Sequence, residues 1–229
     1  MKKELTIGEI VALDYRAASV FKDAGIDFCC GGKKGISQTC SEKGINKEAL
    51  LEKLGELEST PNTTVYNYNE WDPGFLCDYI VNTHHKYVLK SLPDLLSYTG
   101  KISSVHGAGH PELAEVADLI SQVNRELLQH MKNEEEVLFP SIKDAITTGS
   151  DTAKAKIISE IERLSDEHEF AGGAMDKINV ITNGYQVPDD GCNTYNVAFR
   201  LLREFEDDLH THVHLENNVL FPKALLSTQ

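Results

Sequence analysis

Two stretches of the chain decide the fold: HMKNEEEVLFP at residues 130–140 and HVHLENNVLFP at residues 212–222. Each places a histidine four residues before a glutamate and closes on Val-Leu-Phe-Pro. On a helix this spacing sets the imidazole and the carboxylate on one face, a turn apart. The face continues outward. Before His130 run Val116, Ile120, Val123 and Leu127, and beyond Glu134 comes Val137. Before His212 run Ala198, Leu202, Phe205 and Leu209, and beyond Glu216 comes Val219. Steps of three and four are those of a buried helical face, so the polar residues lie in the middle of apolar seams.

A third seam contains Ile157, Ile161, Leu164, His168, Ala171, Met175 and Ile178. In the first long helix two histidines compete. Val81, His85, Val88, Leu92 and Leu95 make an apolar stripe, whereas the stripe through His84 runs Ile80, Tyr87 and Ser91. The stripe favours His85 and leaves His84 as the alternative. Helices are expected near 72–99, 110–146, 151–183 and 193–226, broken at Gly149, Gly184 and Gly191, with each Phe-Pro close to a helix end. Short connections and absent strand alternation predict an all-α, antiparallel up-down-up-down four-helix bundle.

Such a bundle brings His85, His130, Glu134, His168, His212 and Glu216 to one level, within about a turn at ~1.5 Å per residue. One buried ionised carboxylate costs several kcal/mol, against a typical net stability of only ~5–15 kcal/mol. Two carboxylates among four imidazoles therefore call for a cation. The doubled motif suggests two metal ions, each with two histidines, and both glutamates bridging. Mixed nitrogen and oxygen ligation with open positions favours iron, then manganese, over structural zinc.

Ahead of the bundle, residues 1–58 read as a small helical domain. Thr6-Ile7-Gly8-Glu9 has capping-box spacing, Asp27-Phe28-Cys29-Cys30-Gly31-Gly32 forms a turn, and a second helix starts near Lys47. Residues 59–70, with Ser59-Thr60-Pro61, read as a linker to the bundle at 71–229. Adjacent Cys29 and Cys30 suggest either a tight turn with partly buried thiols or a site for metal, nitric oxide or redox exchange. Cys40, Cys77 and Cys192 are expected to pack. His106 and His110 fall in an interhelical turn with His106 a reserve ligand, and His214 points off the seam. Glu126 and Glu167, beside His130 and His168, are expected on a solvated face, the alternative being carboxylates that support those histidines or an iron exit route.

The net charge of −14 over 229 residues excludes nucleic acid and anionic membranes as natural partners. The longest apolar runs span only a few residues, so no membrane helix is expected. The start, Met-Lys-Lys-Glu-Leu-Thr-Ile-Gly-Glu, reads as no signal peptide, which predicts a cytoplasmic, reducing location with free thiols.

The paired His-x-x-x-Glu-x-x-x-Leu-Phe-Pro segments, with His85 and Glu167-His168-Glu169-Phe170-Ala171-Gly172, resemble the hemerythrin-like fold. The N-terminal run from Ile7 to Gly32 resembles the short domain that precedes it in the iron–sulfur cluster repair di-iron proteins of ScdA/YtfE type. The resemblance implies a cytoplasmic homodimer that repairs clusters damaged by nitric oxide or peroxide by supplying iron. It implies two non-haem iron ions, oxo- or hydroxo-bridged, on His85, His130, His168 and His212 with bridging Glu134 and Glu216. Damaged iron–sulfur proteins would be the clients, with nitric oxide or oxygen as small ligands. The additional histidine of oxygen-carrying hemerythrins is missing from this pattern, which argues for open, labile irons. Two other functions fit the same residues: reduction of nitric oxide to nitrous oxide at the iron pair, or sensing through docking of the N-terminal domain.

Overall fold

The computed structural model describes residues 4–58 and 67–226. Its N-terminal part contains α1 (Ile7–Leu13), α2 (Ala17–Asp23), a 3₁₀ turn (Cys30–Lys33), α3 (Ile36–Lys43) and α4 (Lys47–Glu58). The capping box at Thr6 is formed, with Glu9 N–H donating to the Thr6 hydroxyl and Thr6 N–H donating to Glu9. The expected single helix before the cysteines is divided in two. Asp14 leaves α1 in extended conformation and accepts hydrogen bonds from the Arg16 N–H and guanidinium, a local side-chain turn that competes with helix continuation. Residues 59–66 of the expected linker lie outside the described residues. Its last part forms a 3₁₀ turn (Tyr68–Glu70), and buried Tyr68 packs edge-on against Trp71 at 4.8 Å.

Four rods make up the remainder. The first joins α5 (Pro73–Ile80), a π turn (Val81–His85) and α6 (Lys86–His106); the second joins α7 (Glu112–Asn133), a π turn (Glu134–Leu138) and α8 (Phe139–Thr148). The third is the uninterrupted α9 (Asp151–Ile181). The fourth joins α10 (Asn193–His214), a π turn (Leu215–Leu220) and α11 (Phe221–Leu226). Asp72 caps the first rod and Ser150 the third, while Gly149 ends the second with φ of 69°, a left-handed conformation that favours glycine. The first half of rod one meets the π turn of rod two (His85 to Glu135), and its end meets the start of rod four (His106 to Cys192), so rod one runs antiparallel to rods two and four.

The π turns were not visible in the sequence pattern. A π turn adds a residue to the helical register and rotates every side chain downstream of it. The buried residue after Glu134 is accordingly Leu138, fully enclosed, while Val137 is only half-buried. Past Pro140, α8 runs on to Thr148, close to the expected end near 146.

Two apolar cores sandwich the polar layer. One holds Leu92, Ile120, Met175 and Phe205 together with Ile7, Val11, Phe21 and Phe28 of the N-terminal part. The other holds Ile80, Ile142, Ile157 and Val219. The N-terminal part thus shares a core with the bundle. Polar contacts reinforce it: Tyr15 and Thr211 hydroxyls lie 2.6 Å apart, and the Asn218 amide donates to the carbonyls of Phe28 and Cys29 at 3.3 and 3.1 Å. Gly8 and Gly32 make room for Asn218, since a Cβ on either would collide with its side chain. Gly8→Ala is expected to cost about 1–3 kcal/mol by overpacking, read as a thermal midpoint lower by ~2–10 °C; an unchanged midpoint would show that this contact gives way freely.

Candidate metal centre

The six seam residues meet between the two cores, and all are at most 2 % exposed. They form two overlapping groups that could hold a cation: His85, Glu134, His212 and Glu216, and His130, Glu134, His168 and Glu216. Glu134 and Glu216 belong to both. Glu134 Oε2 is 3.3 Å from both His85 Nε2 and His130 Nε2. Glu216 Oε2 is 3.1 Å from His168 Nε2, and Glu216 Oε1 is 2.9 Å from His212 Nε2.

The outer nitrogens determine what the inner ones offer. His85 Nδ1 donates to Glu135 at 2.8 Å, His130 Nδ1 donates to Glu167 at 2.8 Å, and His168 Nδ1 donates to the Asn217 side-chain oxygen Oδ1 at 3.0 Å. A neutral ring with its proton on Nδ1 presents a lone pair at Nε2. The Nε2 atoms of His130 and His168 nevertheless stand 3.1 Å apart, each also facing a carboxylate. Acceptors converge on acceptors. Both Glu134 oxygens, Glu216 Oε2, His85 Nε2 and His212 Nδ1 are buried without a hydrogen-bond partner. At ~1–3 kcal/mol per unsatisfied group, five would cost on the order of 5–15 kcal/mol, as much as a typical domain's whole stability. A donor set of this kind fits divalent metal.

The doubled motif also proves to be an orienting device. The residue after each shared glutamate holds a histidine of another rod, Glu135 on His85 and Asn217 on His168. The phenylalanine of each tail stacks on that same ring, Phe139 on His85 and Phe221 on His168, both at 5.8 Å. Sequence reasoning missed Glu135, Asn217 and both stacking roles, although repetition at matched offsets was their one available signal. Glu167, expected on a solvated face, is instead the half-buried partner of His130 and also pairs with Arg163. Glu126 is exposed.

His84 stands outside both groups. Its Nδ1 donates to Asp208 at 2.9 Å, and its ring stacks on His212 at 5.5 Å. His214 is buried against Tyr15 and Phe28 and accepts from Asn218; burial pushes its pKa down to about 4, so it remains neutral packing. His110 pairs with Asp190 at the far end of the bundle. Cys40 and Cys77 are buried as expected, but Cys192 is exposed because it caps α10 at the surface. Cys29 is buried, with its thiol donating to Asp27 at 3.0 Å, and Cys30 is half-buried. The hydrogen bond with Cys30, then burial, raise the Cys29 pKa well above the ordinary thiol range. Both cysteines line a cavity of about 320 Å³ between the N-terminal part and α9 and α10, with Asp27, Asp176 and His210.

Charge within the centre is set by proximity. Burial would raise the Glu216 pKa, yet His212 and His168 hold it well below the usual carboxylate range. Burial and the Glu216 charge oppose ionisation of Glu134, but His130 and His85 still lower its pKa. Burial disfavours the His130 imidazolium, yet Glu134, Glu167 and Glu216 lift its pKa to about 10. Burial prevails at His212, whose pKa falls. Without metal, protons on some imidazoles must compensate the carboxylates, so metal and proton compete.

A helical bundle with buried histidines and glutamates at its centre is the architecture of hemerythrin-type domains, and the pattern of the hemerythrin HHE cation binding domain matches residues 78–224. That of the ScdA N-terminal domain, described as a domain of unknown function, matches residues 3–58. Iron-sulfur cluster repair protein ScdA of Staphylococcus epidermidis is 33% identical over 223 residues, covering 97% of this chain and 98% of that one. Iron-sulfur cluster repair proteins YtfE of Pectobacterium atrosepticum and Dickeya chrysanthemi are 32% and 31% identical, with 97% of each chain covered. The chain belongs to the ScdA/YtfE family of iron–sulfur cluster repair proteins. Among the described residues, no helix is long and apolar enough to cross a membrane.

The metal-free centre predicts a pH signature. The His130 pKa near 10 lies above its unfolded value of about 6.5, so its contribution to stability is complete below pH 6.5 and vanishes as pH rises through 10. The gap in thermal midpoint between metal-free wild type and His130→Gln should therefore be widest below pH 6.5 and narrow towards pH 10. A constant gap across that range would contradict it.

Proposed function

We propose that the centre binds two iron ions and that the protein supplies this iron to damaged iron–sulfur clusters of client proteins. The observation that carries the reading is the pair of overlapping four-residue groups sharing Glu134 and Glu216. Each group offers two imidazoles and two shared carboxylates, a mixed donor set suited to ferrous or ferric ions. These residues would hold iron with few protein ligands per ion, which would leave it open to small ligands or to capture by a client. The names of the relatives supply the repair role, and the centre supplies the cargo.

The chain's own residues account for retention and release. Glu135, Glu167 and Asn217 fix three rings with Nε2 facing inward; such outer partners set both ring orientation and ligand basicity. Phe139 and Phe221 cover two of the rings and keep water from them. Glu167 is the exception to enclosure, because it reaches the centre through His130 while remaining partly exposed beside Arg163. Protonation of Glu167 would remove the acceptor that holds His130 and loosen one ligand. The buried, high-pKa thiol of Cys29 argues against a constitutive thiolate site, and Cys30 with Asp27 is the more accessible part of that turn.

Metal analysis should find two irons per wild-type chain, falling to one or fewer in Glu134→Ala and Glu216→Ala. Glu135→Ala and Asn217→Ala should retain both sites with ~10–100-fold weaker affinity. Donation is tested by mixing iron-loaded protein with an enzyme whose cluster has been destroyed. Recovery no faster than with equimolar free ferrous ion would rule out delivery while leaving the metal centre intact.

A further inference from the structure

Cys192 and His106 meet at the end of the bundle away from the metal centre. Cys192 precedes His212 by twenty residues of α10, which at ~1.5 Å per residue puts it about 30 Å away. Its sulfur lies 3.2 Å from His106 Nε2. Cys192 is the only exposed cysteine among the described residues, since Cys29, Cys40 and Cys77 are buried and Cys30 is half-buried.

Two helix ends act on this pair in complementary directions. Cys192 is the N-cap of α10, where unpaired backbone N–H groups favour negative charge; His106 is the last residue of α6, where unpaired carbonyls favour positive charge. Both helices exceed twenty residues, so both dipoles are fully developed. The ring of Tyr195 packs edge-on against His106 at 5.4 Å and holds it towards the sulfur. The remaining charged neighbours are occupied elsewhere: Asp190 pairs with His110 at 3.0 Å, and His110 also meets Glu112 at 3.4 Å.

We propose that Cys192, paired with His106, is a reactive surface thiolate that undergoes exchange with small disulfides. The thiolate attacks one sulfur of the disulfide, that S–S bond breaks, a new S–S bond joins Cys192 to half of the reagent, and the other half leaves as a thiolate. Cys192 is oxidised, the departing half is reduced, and the bound half retains its oxidation level. A second thiolate reverses the step, as for other accessible mixed disulfides.

His106 above all brings the Cys192 pKa down to about 7. From an ordinary value near 8.5, the thiolate fraction at pH 7 rises from ~3 % to about half, roughly fifteenfold. Intrinsic nucleophilicity falls with pKa by ~5-fold over the same interval, leaving a rate advantage of only about threefold. The pH profile is therefore the sharper readout.

The full chain, as isolated, would be treated with glutathione disulfide and mapped by peptide mass, and its pH-dependent labelling by iodoacetamide followed at each cysteine. The expected result is one glutathionyl adduct on Cys192, lost in Cys192→Ser, with labelling half-maximal near pH 7. His106→Gln should move that midpoint up by a unit or more. A wild-type midpoint at 8.5, an unchanged profile in His106→Gln, or an adduct on Cys30 in place of Cys192 would each overturn the proposal. The wild-type profile decides the matter even if a variant folds poorly.

Discussion

Acceptor atoms facing one another in a dry interior are the constraint on which the rest of the structure depends. Two carboxylates and four imidazoles converge with almost no hydrogen between them, because the outer ring nitrogens of His85, His130 and His168 donate away from the centre. A protein interior strengthens such repulsion as much as it strengthens attraction. The two apolar cores provide the surplus of burial that allows the polar layer to persist until cations or protons compensate it. Folding and ion binding are consequently linked at this layer.

The π turns solve the positioning problem. Three of the four rods carry one at the level of the centre, and they include or adjoin His85, Glu134 and Glu216. An α-helix offers its side chains at fixed angular intervals, and an added residue retunes those angles locally without ending the rod. It also aims two successive residues at different targets. Glu134 points into the centre while Glu135 reaches His85, and Glu216 points in while Asn217 reaches His168. α9 contributes one residue to the two groups, His168, and needs no such adjustment.

Much of this was legible in the sequence for a simple reason: polar residues inside apolar seams violate the pattern that surrounds them. His130, Glu134, His168, His212 and Glu216 declare themselves in that way, and the structure brings them together with His85. The features that escaped reading depend on contacts across rods. Glu135 and Asn217 look like ordinary surface residues of their own helices, while Glu167 was legible only as the alternative to a solvated face, a carboxylate supporting a neighbouring histidine. The shift of the buried position from Val137 to Leu138 escaped because three-and-four spacing carries no mark of an added residue. The break between α1 and α2 arose from one aspartate bonding its own neighbourhood, and Cys192 reached the surface because it caps a helix.

Asn217 and Asn218 are consecutive residues of one π turn, yet they serve different masters. The first steadies His168, and the second grips the carbonyls of Phe28 and Cys29 and the ring of His214. A single peptide bond therefore yokes the seat of the cysteine turn to the aim of an imidazole. Thermodynamic reciprocity makes such a yoke work in both directions: whatever tightens the grip on the small N-terminal part steadies the ring, and whatever fixes the ring steadies that part in its seat.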